Sequence, residues 1–133
     1  MRLEEQGTGL AKILVIDDDP RVRGVIAEAL TATGHEVIEA NDGREGLDMF
    51  RLHLPTLVVT DILMPEKDGL ETIRELRGGG SNVAIVAVSD SGPMSSAQLL
   101  TLARLMGADA GIAKPFGATE LVAVVDRLLG SAT

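Results

Sequence analysis

The chain has 133 residues, a formal net charge of −8, and neither cysteine, tryptophan nor tyrosine. That length suits one domain, whose core must be aliphatic because hydrophobic residues make up 45% and aromatics only 2%. Nucleic acid is excluded as an expected partner, since phosphate backbones are gripped by clustered Lys and Arg and single strands by stacked rings; a disulfide framework or thiolate metal site is excluded by the missing cysteines.

Residues 1–10 read as a polar lead-in without the apolar run of a signal peptide, and residues 131–133 as a tail. No stretch approaches the ~20 apolar residues that span a bilayer, so the expectation is a cytoplasmic domain over residues 11–130 with no membrane contact. Lys12 to Asp17 is a near-continuous apolar, β-branched strand, as a strand buried on both faces requires. Val22, Val25, Ile26, Ala29 and Leu30 then recur at helical spacing. Asp19 suits the cap of that helix, Pro20 its first turn and Gly34 its close. His35 to Ala40 is a shorter, more polar strand, expected at or near a sheet edge. A second helix starts at Asn41 or Asp42, with Leu47, Phe50 and Leu54 as its buried face, and Pro55 ends it.

Leu57 to Asp61 is the third strand. Met64-Pro65 breaks the chain, and a helix carrying Leu70, Ile73 and Leu76 runs to the Gly78-Gly79-Gly80 stop. Val83 to Val88 is the fourth strand, followed by a Ser/Gly/Pro-rich loop from Asp90 to Ser95. The fourth helix shows Leu99, Leu102, Ala103 and Met106 and ends at Gly107; Leu100 and Leu105 lie outside its apolar stripe. Ala110 to Ala113 is the fifth strand. The fifth helix starts near Gly117 or Thr119 and buries Leu121, Val122, Val125, Leu128 and Leu129. Such alternation specifies a parallel sheet with helices on both faces.

The ends of these strands carry the chemistry. Asp17-Asp18-Asp19 follow the first, Asp61 ends the third, Ser89 follows the fourth and Lys114-Pro115 the fifth. In a parallel sheet these ends share one edge, where open α/β sheets bind ligands. Carboxylates gathered around one cation make a site for a hard metal and an anion. A polar loop with a helix cap accounts for Asp19, but not for two further adjacent acids, whose uncompensated charges are costly at a strand end.

Asp17-Asp18, Asp61 followed by Met64-Pro65, Asp68-Gly69, Ser89 and Lys114-Pro115-Phe116 together resemble the receiver domain of bacterial response regulators, over roughly residues 11–130. The resemblance implies a flavodoxin-like, doubly wound five-stranded parallel sheet of order 2-1-3-4-5 with five helices. It implies Asp61 as phosphoacceptor, with Mg²⁺ bound by Asp18 and Asp61, by Asp17 through water and by the backbone carbonyl of Leu63. Ser89 and Lys114 would contact the phosphoryl group, and the bond before Pro115 would be cis. The phosphoryl donor would be a histidine kinase or histidine phosphotransfer protein. A downstream protein would read the surface of the fourth helix, fifth strand and fifth helix. On this reading the domain assists its own phosphorylation and dephosphorylation but is not an enzyme with an external substrate.

Two positions depart from the family pattern. Gly111 stands where receivers commonly place a switching aromatic, so the output change is expected in the 90–95 loop and the fourth helix. Leu63 stands where a polar residue often orients the hydrolytic water, so slow loss of the phosphoryl group is expected. Two other functions fit less well. A flavin or nucleotide site needs a Gly/Ser/Thr-rich phosphate cradle after the first strand, where three aspartates would repel the anion. Aspartyl phosphatases and phosphomutases usually carry a second acid two residues after the nucleophile, where this chain has Leu63. His35 and His53 show no ligand spacing.

Overall fold

A strand covered on both faces can be apolar along its whole length, and the sheet is built from such strands. The computed structural model describes residues 10–64, 68–89 and 96–130. Residues 1–9 and 131–133 of the expected lead-in and tail, Pro65 and the 90–95 loop lie outside the described residues. In chain order the elements are β1 (Lys12–Ile16), α1 (Pro20–Ala32), β2 (Glu36–Ala40), α2 (Gly43–His53), β3 (Leu57–Asp61), α3 (Gly69–Gly78), β4 (Ala84–Ser89), α4 (Ser96–Met106), β5 (Ala110–Ala113) and α5 (Ala118–Gly130). All neighbouring strands pair in parallel, in the order β2-β1-β3-β4-β5.

Side chains alternate across a strand, so each strand feeds two cores. Leu14, Ile16, Val58, Ile85 and Ala87 pack with Leu47, Ile73, Leu76, Leu99 and Ala103 on the face covered by α2, α3 and α4. Ile13, Val15, Leu57, Val59, Val86, Val88 and Ile112 pack with Ile26, Leu30, Leu121 and Val125 on the face covered by α1 and α5. The chain leaves β1 toward β2 and returns on its other side as β3. The strand order therefore reverses between β1 and β3, and the crevice at their carboxyl ends is the fold's natural ligand site.

Three aspartates start three helices. Asp19 accepts the Arg21 N–H at 2.9 Å, Asp42 that of Glu45 at 2.8 Å and Asp68 that of Glu71 at 2.9 Å. Each bond satisfies a backbone donor that the first helical turn leaves open. Asp19 and Asp68 thereby aim their helices away from the carboxyl edge of the sheet, one beside β1 and one beside β3. At the opposite edge Arg77 joins α3 to the start of β5. It donates to the carbonyls of Gly107 (3.0 Å), Ser81 (3.0 Å) and Val83 (2.8 Å) and to the Asp109 carboxylate (3.0 Å).

The structure corrects the sequence reading in several places. β1 stops at Ile16, β2 starts at Glu36, and β4 is shifted one residue so that Ser89 ends it. β2 does lie at an edge, as its polarity suggested. Helix α2 starts at Gly43, and its buried face is Gly43, Gly46 and Leu47. Leu54 lies past the helix in left-handed conformation (φ 51°) and is 71% exposed. Gly46 decides this: a Cβ there would overlap Ile16 Cδ1 and come within 2.9 Å of its Cγ1. The helix thus approaches β1 through glycines, a face that counting apolar residues misses. Val25 is 62% exposed, and α1 buries Ile26, Ala27 and Leu30 instead. On α4, Met106 is partly open and Leu105 largely so, whereas Leu100 is half-buried over Gly111.

Candidate functional site

Register brings the acidic strand ends together. Ile16 pairs with Thr60 and Asp61 with Val88, so Asp17, Asp61 and Ser89 follow one another across the carboxyl edge. Asp17, Asp61 and Ser89 are all buried, at 1%, 6% and 0% exposure. One oxygen each from Asp17, Asp18 and Asp61 falls within 4.8 Å of the others. Lys114 reaches across from the end of β5. Its Nζ stands 3.4 Å from Asp17 Oδ2 and 3.6 Å from Asp61 Oδ1. Its backbone N–H donates to the Ser89 carbonyl at 2.7 Å, and the Lys114–Pro115 bond is cis. Leu63 lies in the bend after β3, two residues beyond Asp61.

The main chain holds the carboxylates in place. Asp17 Oδ1 accepts the Asp19 N–H at 2.9 Å, and Asp61 Oδ1 accepts that of Ile62 at 3.1 Å. The segment after Asp61 is held on both sides: Ile62 N–H donates to Val88 at 3.0 Å, and its carbonyl accepts from Gly69 at 2.7 Å. Gly69 is required by space. A Cβ there would overlap the Asp61 carbonyl oxygen and approach Ile62 Cα to 2.8 Å, so α3 starts directly against the backbone that carries the acid.

Burial pushes the Asp61 carboxyl up from 3.8 to about 7, and the negative charges of Asp17 and Asp18 push the same way against the pull of Lys114. Burial also raises Asp17, against the Asp19 N–H and Lys114. One ammonium therefore does not neutralise this set of acids. An all-oxygen cluster with excess negative charge suits a small hard dication such as Mg²⁺, and Asp17, Asp18 and Asp61 supply such donors.

The expected residues thus gather at one edge, with Pro115 next to the lysine. Arg23 is the residue that sequence reasoning passed over. It looks like a solvated helix charge, yet its guanidinium donates to the Asp17 carbonyl at 2.7 Å; its spacing six residues beyond Asp17 was the available signal. His35 is buried, and its Nδ1 accepts the Ala11 N–H at 3.0 Å, away from the acids and on the α5 side.

A doubly wound sheet of this order, with acids and a lysine gathered where the strand order reverses, defines a signalling domain of the receiver class. The chain belongs to the response regulator receiver domain family, whose family model matches residues 13–126. Response regulator MprA of Mycolicibacterium vanbaalenii is 38% identical over 126 residues, covering 92% of this chain and 52% of that protein. A probable transcriptional regulator, ycf27, of Cyanophora paradoxa is 40% identical over 118 residues, covering 89% and 48%. The chain thus spans about half the length of these curated relatives. Among solved structures, the receiver domain of NtrX from Brucella abortus superposes with a TM-score of 0.83 at 31% identity, covering 90% of this chain and 98% of that one. A receiver domain protein from Clostridium thermocellum gives 0.84 at 30% identity, covering 92% and 97%. Membership places the domain in two-component phosphorelay signalling. Among the described residues no helix is long and apolar enough to cross a membrane.

Proposed function

We propose that Asp61 is the phosphoacceptor of this domain, taking a phosphoryl group from the phosphohistidine of a histidine kinase or histidine phosphotransfer protein. The observation that carries the reading is a buried carboxylate held 3.6 Å from the Lys114 ammonium and gathered with two further acids. An Asp61 oxygen attacks phosphorus and the N–P bond breaks. Its electron pair leaves on the imidazole nitrogen, which takes up a proton, and an acyl phosphate remains on Asp61. An anion attacking an anion needs nearby positive charge. Lys114 supplies one such charge and Ser89 a hydroxyl at the adjacent strand end. Mg²⁺, bound by Asp18, Asp61 and the Leu63 carbonyl and by Asp17 through water, would neutralise the charge that builds on the phosphoryl oxygens.

A groove of about 500 Å³ opens beside Lys114, between α1 and the turn after β5, and Val22, Val25, Ile26 and Phe116 line it. It gives the donor an apolar seat within reach of the acid. Output passes to a downstream protein across α4, β5 and α5, where Leu105 is 77% exposed. Leu63 offers no polar group to orient water, so the acyl phosphate is long-lived; a purified phosphoprotein that decays within seconds overturns this point.

The test is incubation with Mg²⁺ and acetyl phosphate followed by mass spectrometry. One added phosphoryl group is expected on Asp61, with none in Asp61→Asn or with chelator present. Labelling elsewhere, or labelling that survives the substitution, overturns the assignment.

A further inference from the structure

We propose that Arg23 is the positioning residue that holds the Asp17–Asp18 turn in its ligand-ready form, and so sets the affinity of the acid cluster for a divalent cation. The inference rests on the reading of the cluster as a cation site.

Asp17 has four polar functions to place in a buried setting. Its N–H donates to the Ala40 carbonyl at 3.2 Å, its Oδ1 accepts the Asp19 N–H at 2.9 Å, and its carbonyl accepts Arg23 Nη1 at 2.7 Å. Only Oδ2 is left facing the site, toward Lys114. The shortest of these three tethers comes from α1. The same guanidinium also donates through Nε to Glu39 Oε1 at 3.0 Å and through Nη1 to Asn41 Oδ1 at 3.3 Å. The side chain of Arg23 is only 18% exposed. It therefore ties together α1, the turn after β1, the end of β2 and the residue that follows it.

The donor geometry explains why an arginine does this. A guanidinium presents its N–H groups in a fixed planar fork, so outward movement of the turn strains all of these contacts together. Such movement is what the adjacent acids favour, because Asp18 repels Asp17 and both repel Asp61. Arg23 also binds where it does not compete with a cation. It grips the main-chain carbonyl and directs its charge to Glu39, which leaves the carboxylate oxygens available. Its action on the site is thus through position. Hydrogen-bond partners lying behind metal ligands typically matter by about 10–100-fold in affinity.

The test is calorimetric titration of Mg²⁺ into the full chain and its variants, each checked for folding by circular dichroism. Arg23→Met should weaken Mg²⁺ binding about tenfold, and Arg23→Lys, which keeps one donor, should recover part of the loss. Arg51→Met is the control for charge: Arg51 is 66% exposed, in the last turn of α2 at the far edge of the sheet, and its loss should change affinity by less than about twofold. With acetyl phosphate, Arg23→Met should need more Mg²⁺ yet approach the wild-type labelling rate at saturation. Folded Arg23→Met that binds Mg²⁺ within about twofold of wild type, or an equal loss in Arg51→Met, overturns the proposal. If Arg23→Met does not fold, the Glu39→Ala/Asn41→Ala double variant decides: it frees the other half of the guanidinium and should weaken binding about threefold, and unchanged binding overturns the proposal. Wild-type protein that binds no Mg²⁺ instead removes the cation-site reading itself.

Discussion

Removing the Asp61 carboxylate should stabilise the cation-free domain, with a gain that grows with pH. In the fold the Asp61 carboxyl is pushed from 3.8 to about 7 by burial and by Asp17 and Asp18. The folded state therefore keeps a proton that the unfolded chain releases above 3.8. Stability from this group is present in full below 3.8 and is lost as pH climbs through about 7. A shift of that size corresponds to about 4 kcal/mol at most. The amide of Asp61→Asn would keep the bond from Ile62 N–H but lose the ion pair to Lys114, which still has Asp17 at 3.4 Å. Asp61→Asn should thus gain about 2–4 kcal/mol near pH 8 and almost nothing near pH 4. Urea unfolding in chelator across this range measures the difference directly. Mg²⁺ should offset most of that advantage, because a ligand bound only by the folded wild type at about 100 times its Kd adds about 2.7 kcal/mol. A variant less stable than wild type near pH 8, or a difference that does not vary with pH, refutes the reasoning.

Three further outcomes follow from the packing. Gly69→Ala forces a methyl into the Asp61 and Ile62 backbone, and should cost about 2–4 kcal/mol in denaturant unfolding while slowing acetyl phosphate labelling. Arg77→Met strips a partner from three carbonyls and from Asp109, which also accepts the Ile85 N–H at 2.8 Å; a loss of about 3 kcal/mol is expected, with Asp61 labelling still occurring. At Gly111 a new Cβ would stand 2.8 Å from Leu100 Cδ2. Gly111→Ala should cost about 1–2 kcal/mol, and much less in a Leu100→Ala background; strictly additive unfolding energies would show that the two residues do not share this space.

The Gly111 contact also bears on switching. The space above β5 that an aromatic could fill is taken by Leu100 of α4, so α4 rests directly on the strand. The expectation that Gly111 raised placed the output change in the 90–95 loop and α4, and of these α4 is the element seated on Gly111. The 90–95 loop, its expected companion, lies outside the described residues.

Much of the architecture was legible in the chain because it is written in local chemistry. β-branched runs mark strands covered on both faces, and Asp19 and Asp42 mark helix starts because a cap bonds within its own first turn. The acids and the lysine could be placed at strand ends for the same reason, since an ionic group ends an apolar run. Strand order was supplied by resemblance to a family, not by the periodicity of the residues. Only the tertiary structure decided which helix faces close on glycine, that Val25 and Leu54 stay open, and that Arg23 grips Asp17. Each of these depends on how near two distant segments come, and a residue's type and spacing do not record that distance. The raised Asp61 carboxyl has the same origin: its charge is costly because folding withdraws it from water and sets two other acids beside it.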